Sequence, residues 1–488
     1  MYLGIDLGTS EVKALLMDEA QRVIATAHAP LAISRPHAHW SEQDPADWWT
    51  ATRAALADIA RHHPEELARL HGIGLSGQMH GVVLLDADGQ VLRPAILWND
   101  TRSAAECAEL ERRVPDLQRI TGNLAMPGFS APKLLWVARH EPALFGRIAK
   151  VLLPKDYLRY LLTGEFVSDM SDASGTLWLD VANRRWSDAM LAACGLDRSH
   201  MPRLVEGSAP GGTLRADLAR EWGVAAPVVV AGGAGDNAAS AVGMGITAAN
   251  DAFVSLGTSG VFFVASDACR PNPSQGLHTF CHALPGRWHQ MGVMLSAASC
   301  LGWATRLMHS ADEAALLDEV EAAGPAARTA APLFLPYLSG ERTPHNDPDA
   351  SGVWFGLRHD TDRALLGYSV LEGVAFGLRD SYLALQAAGA RVETAALVGG
   401  GSRSRYWARL LASVLDVPLT LGDGAHVGAA LGAARLALLA ARPELAVEQV
   451  CLAPSVLETI RPEPDWQDAL LPRYTRFRDL YGHLQPLF

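Results

Sequence analysis

A carboxylate that leaves a glycine turn at the end of an apolar strand is well placed to take a proton from a bound ligand. The stretch GGAGDNAAS, Gly232 to Ser240, offers one in Asp236, behind the strand-like run PVVV at Pro227 to Val230 and ahead of small residues suited to a helix. As a plain helix cap Asp236 would need no function, but the glycines at 232, 233 and 235 let another group approach the backbone closely. Two further turns are near copies of each other. DLGTS runs from Asp6 to Ser10 and SLGTS from Ser255 to Ser259, an offset of 255 − 6 = 249 residues in a chain of 488. A Gly-Thr-Ser turn between strands aims backbone N–H groups and two hydroxyls into a concavity that suits phosphate oxygens. One copy alone would be hairpin punctuation; two, one per half, could grip a polyphosphate from both sides. A fourth turn, VGGGSRS from Val398 to Ser404, again joins a strand to a helix, where bare backbone can receive a flat base or ribose. His80, Trp98, Asn99, Asp100 and Arg102 cluster in the first half and would be ordinary core or surface hydrogen bonding unless they face Asp236.

Other nucleotide chemistries are excluded by what is missing. The only lysines are Lys13, Lys133, Lys150 and Lys155, and none follows a glycine, so there is no Walker A loop. No H-R-D catalytic loop occurs. Gly72, Gly74 and Gly77 match G-x-G-x-x-G, but a helical segment precedes them and QMHGVVLLD follows, the reverse of the strand-then-helix setting that a dinucleotide fingerprint needs. The six cysteines are widely separated with no C-x-x-C pair, which argues against a zinc knuckle or a disulfide scaffold. A net charge of −12 without a Lys/Arg block argues against nucleic acid. The start, MYLGIDLGTS, has no signal-peptide pattern and the apolar runs fall short of a membrane span, so a cytoplasmic protein that meets no membrane is expected.

The elements that must hold these turns follow from the patterning. VKALLM after the first turn and VFFVAS after the second make hairpins with the strands before them, and RVIATAHA extends the first into a meander. PADWWTATRAALADIARHH from Pro45 predicts a helix, with Asp44 as cap and Pro45 at its first position. HGIGLSGQ and GVVLLD predict strands, and TRSAAECAELERR from Thr101 a helix. In the last third, helices are predicted from Leu371 and from Ala425, with a strand, glycine turn and helix from Ala395. Strands alternating with helices in both halves give an α/β class. The half-chain repeat implies a domain duplication, with lobes at 1–244 and 245–488.

Taken together, IDLGTS, GFSAPKLLWVARH (Gly128 to His140), GGAGDNAAS, SLGTSG and GGGSRSRYWARLLASVLD (Gly399 to Asp416) resemble the FGGY family of carbohydrate kinases. SGQMHG, ILWNDTR, LPKDYLRYLLTGEFVSDMSDASGT (Leu153 to Thr176) and FLPYLSGERTPHNDP (Phe334 to Pro348) are similar to blocks of its ketopentose-phosphorylating members. The resemblance implies two duplicated ribonuclease-H-like, actin-like ATPase lobes with a cleft between them. It implies ATP and Mg2+, transfer of a phosphoryl group to D-xylulose, and a sibling activity on ribulose, gluconate or another sugar or polyol as the alternative. By the family's pattern Asp236 is the catalytic base and Asp6 positions the magnesium ion, directly or through water. Met79 and His80 contact the sugar, with Gln78, Asn237, Trp98, Asp100 and Arg102 around it. Gly8, Thr9 and Ser10, Gly257, Thr258 and Ser259, and Gly400, Gly401 and Ser402 form the ATP turns. A homodimer is expected on the same ground. One departure stands out: Glu11 follows the first turn where SLGTSG has a glycine, and an extra carboxylate beside phosphate is expected to point to solvent. Filament-forming or chaperone relatives of that fold would need further surfaces or domains, and the chain ends soon after its second lobe.

Overall fold

The computed structural model describes residues 1–225, 227–423 and 428–488. Among these residues each half of the chain builds a seven-stranded sheet. In the first, Tyr2–Leu7, Glu11–Met17 and Val23–Pro30 form an antiparallel meander, and Gly72–Gly77 and then Val229–Ala231 add parallel to its first strand. In the second, Ala252–Leu256, Gly260–Ser266 and Trp288–Met294 form the meander, and Ala395–Val398 and Leu419–Gly422 add in parallel. The strand order is the same in both, so the repeated turn is the local trace of a duplicated sheet. The register differs by one residue: Leu7 pairs with Val12 and Leu256 with Gly260, so the first loop carries Glu11 in addition to its Gly-Thr-Ser, while the turn keeps the same corner of each sheet.

Strand alternation decides which residues feed the cores. Leu3, Ile5 and Leu7 enter a cluster with Trp48, Ala55 and Ile59 of helix Pro45–His62, whose cap is made as predicted, Asp44 accepting from the Ala46 N–H at 2.9 Å. The opposite face of the same strand carries Gly4, and there helix Gly428–Ala441 of the second half lies directly on the first sheet. A β-carbon on Gly4 would sit 1.9 Å from the Ala430 carbonyl oxygen, and one on Gly74, its register partner, 1.8 Å from that of Ala433. Gly72 faces Ala437 in the same way. The dinucleotide-like glycine spacing is therefore a docking surface for a helix. That helix also crosses Asp236–Gly243, where β-carbons on Gly243 and Gly432 would lie 2.0 Å and 1.8 Å from opposing backbone oxygens. Through these contacts the two halves meet, directly beneath the strand and the helix that carry Asp6 and Asp236.

Several predicted elements differ in extent or partner. Val83–Leu85 is a strand but pairs with Lys150–Leu152 in a separate ribbon, because the place beside Gly72–Gly77 is taken by Val229–Ala231. The helix predicted from Leu371 begins at Arg363, where Asp362 accepts from the Leu365 N–H at 2.9 Å, and runs to Ala387, mostly buried between Gly367 and Leu385. Of the helix predicted from Ala425, residues 425–427 lie outside the described residues and Gly428–Ala441 is helical. All six cysteines are free thiols. Among the described residues no helix is long and apolar enough to cross a membrane.

Candidate active site

Asp236 heads helix Asp236–Gly243 directly after the glycine turn, so its carboxylate projects at the edge of the first sheet where the two halves face each other. One carboxylate oxygen accepts from the Asn237 N–H at 2.7 Å and from the Asn237 side-chain amide at 3.0 Å. Burial, and then the negative charge of Asp6, push this carboxyl up to about 7 in spite of those hydrogen bonds. Asp6 is the penultimate residue of the first strand, accepts from the Ser76 hydroxyl of the neighbouring parallel strand, and is likewise raised, chiefly by burial. The two acids open into adjoining cavities of about 310 Å³ for Asp236 and about 240 Å³ for Asp6, and Asn237 and Ser255 line both.

Met79 and His80 stand in the larger cavity. His80 adopts φ 69°, a left-handed conformation that a non-glycine residue holds only when its surroundings enforce it. They do so here: the buried ammonium of Lys133 donates to the His80 carbonyl at 2.9 Å and the Ser130 hydroxyl donates to the same oxygen at 3.1 Å. The ring donates from Nδ1 to the Gly175 carbonyl at 2.6 Å, which fixes the tautomer and leaves Nε2 as an acceptor. Burial holds the imidazole neutral, with its pKa lowered to about 3. Met79 packs against Gly235, whose missing side chain makes the room: a β-carbon there would be 2.8 Å from the methionine sulfur.

Trp98 also lines the cavity and donates from its indole N–H to the Thr9 hydroxyl at 3.0 Å. Gln78 is instead turned beneath the first phosphate-type turn, accepting from the Thr9 hydroxyl at 3.2 Å and donating to Gln43 at 3.1 Å, while Gln43 donates to the Thr9 carbonyl at 2.7 Å. Asp100 and Arg102 lie outside the cavity lining. Their buried pair is bidentate, Asp100 also accepts from the Ser41 N–H at 2.6 Å, and the guanidinium lies 3.6 Å over the Trp40 ring. Arg102 also pairs with Glu42 at 2.8 Å, so the group is a buried ion network beside the segment that carries Trp98. Gly8 and Thr9 are half-buried at the cleft, Ser10 is exposed, and Glu11 points to solvent beside His28 at 3.3 Å.

From the second half, Gly257, Thr258 and Ser259 enter the larger cavity opposite Asp236. Their turn is held by helix Ala298–Leu307 and the residue before it: Ala298 N–H donates to Gly257 at 2.8 Å, and Ala297 N–H and the Ser299 hydroxyl donate to the Thr258 carbonyl at 2.9 and 2.8 Å. The turn Gly400–Arg403 leans on the same strand end, since Gly399, with φ 90°, brings its bare α-carbon against Leu256. Gly400, Gly401 and Ser402 therefore lie beside the second Gly-Thr-Ser turn, outside the 310 Å³ cavity. Sequence reasoning did not single out Phe129, His278 or Arg342, yet all three line that cavity. Arg342 donates to the His278 ring at 3.1 Å, and Phe129 meets His80 edge-on at 4.7 Å. The only sequence signal for Phe129 and Arg342 is membership of GFSAPK and SGERTPH, blocks without a chemical motif of their own, and His278 lies in neither.

The site thus joins two acids, a neutral histidine and two hydroxyl-bearing turns contributed by opposite halves, an arrangement suited to moving a phosphoryl group onto a hydroxyl. Comparison with known proteins points the same way. The chain is 53% identical to the xylulose kinase of Escherichia coli over 488 residues, covering all of both chains. The crystal structure of a xyloylose kinase from Brucella ovis superposes with a TM-score of 0.96 at 54% identity, again over 100% of both chains. That of the xylulose kinase of Rhodospirillum rubrum gives 0.91 at 34% identity, over 100% of this chain and 99% of that one. The models for the N-terminal and C-terminal domains of the FGGY family of carbohydrate kinases match residues 1–243 and 252–441. The chain belongs to the FGGY family of carbohydrate kinases.

Proposed function

We propose that this chain transfers the γ-phosphoryl group of ATP to the terminal hydroxyl of D-xylulose, giving D-xylulose 5-phosphate, with residues 1–244 as the sugar lobe and 245–488 as the nucleotide lobe. The observation that carries the reading is the shared cavity in which Asp236, with a pKa raised to about 7, faces the second Gly-Thr-Ser turn across the cleft. A carboxylate poised there ionises near neutrality and still holds a proton well enough to act as general base. Asp236 takes the proton of the sugar hydroxyl as its oxygen meets the γ-phosphorus. His80 Nε2 accepts from a sugar hydroxyl, and Met79 and Trp98 close the cavity over the carbon chain. Phosphoryl transfer needs little covalent help, so the protein's part is to position reactants and stabilise charge. Thr9, Thr258 and Ser259, with the amides of Gly8 and Gly257, face the phosphates. Gly400, Gly401 and Ser402 receive the nucleoside.

Magnesium fits Asp6. The donor is a hard carboxylate oxygen with a second acid close enough to raise its neighbour's pKa, and a cation between them would relieve that repulsion. Among the described residues no set of three or more ligating side chains surrounds it, which suits an ion that keeps most of its waters and takes the rest of its shell from phosphate. When bound, the ion neutralises phosphate oxygens as charge shifts toward the leaving group. A cytoplasmic site of action, where ATP is abundant, belongs to the same reading.

A coupled assay of ADP release across pentuloses, hexuloses, polyols and gluconate tests it. Selective turnover of D-xylulose, abolished in Asp236→Ala while sugar binding persists by calorimetry, is the expected result. A stronger rate on ribulose or gluconate would reassign the substrate, and near-normal turnover of Asp236→Ala would remove the base.

A further inference from the structure

The residues from Asp169 to Gly175 touch three parts of the site at once. The Ser171 hydroxyl accepts at 3.1 Å from the N–H of Gly235, the residue before Asp236. The Gly175 carbonyl accepts the His80 ring at 2.6 Å. The Ser174 hydroxyl accepts at 3.0 Å from the N–H of Cys281, in the outermost strand of the second-half sheet. Serines 171 and 174 are fully buried, so these are fixed contacts in a dry interior. Neither proton transfer nor phosphate binding uses them.

A buried charge cluster holds this segment from below. Lys155 places its ammonium 2.6 Å from Asp156, 2.7 Å from Asp169 and 3.0 Å from Asp172, with every one of these side chains fully buried. Asp169 in turn accepts from the Ser171 hydroxyl at 2.5 Å and from its N–H at 2.8 Å. Arg159, one turn along the helix from Lys155, donates to the carbonyls of Ala231 and Gly232, where the chain enters the glycine turn. Burial holds the Asp172 carboxyl well above the ordinary carboxylate range, against the pull of the Lys155 charge. Such a cluster is a poor source of stability, since apolar residues of like volume do as well or better. Its hydrogen bonds instead end on the backbone at 231, 232 and, through Ser171, at 235, bracketing the turn that aims Asp236.

We propose that Ser171 is a positioning residue for Asp236, and that Asp169 to Gly175 forms a brace tying the base, His80 and the edge of the second-half sheet into one rigid unit. The inference rests on Asp236 being the base. Misplacing a reacting group by about 1 Å costs on the order of 100-fold in rate. Ser171→Ala in the full-length enzyme should therefore lower kcat by about 10- to 100-fold, with KM for ATP unchanged and the melting temperature lowered by no more than the loss of one buried hydrogen-bonding group implies, and the acid limb of its pH–rate profile should move, because the Asp236 carboxylate sits in changed surroundings. Ser171→Thr, which keeps the hydroxyl, should recover most of the rate. Faster amide hydrogen exchange across residues 232–236 of Ser171→Ala, read by mass spectrometry, should accompany the loss. Wild-type kcat and pH profile in Ser171→Ala would overturn the brace, as would a loss of rate matched by a general loss of stability or by no recovery in Ser171→Thr. Asp236→Ala, assayed alongside, separates the two ideas: if it still turns over, the base is wrong whatever Ser171 does.

Discussion

The raised pKa of Asp236 makes the acid side of the pH–rate profile the most direct check on the mechanism. At about 7, its carboxyl lies far above the ordinary carboxylate value of 3.8, first through burial and second through the charge of Asp6. The base must be ionised to accept a proton, so kcat/KM for sugar at saturating Mg-ATP should fall about tenfold per pH unit on its acid side. The limb should lie below about pH 7 by as much as the bound cation offsets the Asp6 charge, and above the ordinary carboxylate range because burial remains. Acid unfolding driven by this group is not the cause, as the signs show. A carboxyl whose pKa is raised by folding contributes stability at low pH, and that contribution is lost as pH rises through about 7. Asp6→Asn removes the second cause and leaves the first, so its acid limb should shift to lower pH yet stay above the usual carboxylate range. The assay is initial-rate ADP release in constant-ionic-strength buffers from pH 5 to 9. An acid limb near pH 4, or one that moves upward in Asp6→Asn, would refute the assignment of the limb to Asp236.

Further outcomes follow from the same geometry. Asp6→Ala should lose rate in a way that rising magnesium partly restores; an unchanged metal dependence would separate Asp6 from the ion. Gly432→Ala places a β-carbon 1.8 Å from the Ala239 carbonyl oxygen and should destabilise the protein by at least about 1–3 kcal/mol in urea unfolding. Gly482→Ala, in an exposed part of helix Pro464–Leu484 with nothing within 4 Å, should be neutral or stabilise by up to about 1 kcal/mol. Arg102→Met leaves the buried Asp100 carboxylate without its cation and should cost about 3–5 kcal/mol of stability, where a sugar ligand at that position would show instead as a raised KM with the melt unchanged.

Much of the architecture is written locally in the chain. The duplicated turn, the alternation of Leu3, Ile5 and Leu7, and the Asp44–Pro45 start signal each depend on a few neighbouring residues, and each leads to the element observed. The glycines at 72, 74 and 77 show where local reasoning stops. Their spacing matches a nucleotide motif, but the group that needs the space at Gly72 and Gly74 is the backbone of a helix more than 350 residues later. No feature of HGIGLSGQ announces that partner.

The site divides along the same line. By itself the sequence determined which residue types were available: two acids at strand ends, a Met-His pair, and Gly-Thr-Ser turns in duplicate, because turn chemistry and strand periodicity are short-range properties. Tertiary structure decided which of them share a cavity and in what state. It brought Asp236, His80 and Thr258 together, left Gln78, Asp100 and Arg102 outside the lining of that cavity, and added Phe129, His278 and Arg342. It also raised Asp236 and kept His80 neutral, since both shifts come chiefly from burial, which exists only after distant segments have packed together and excluded water.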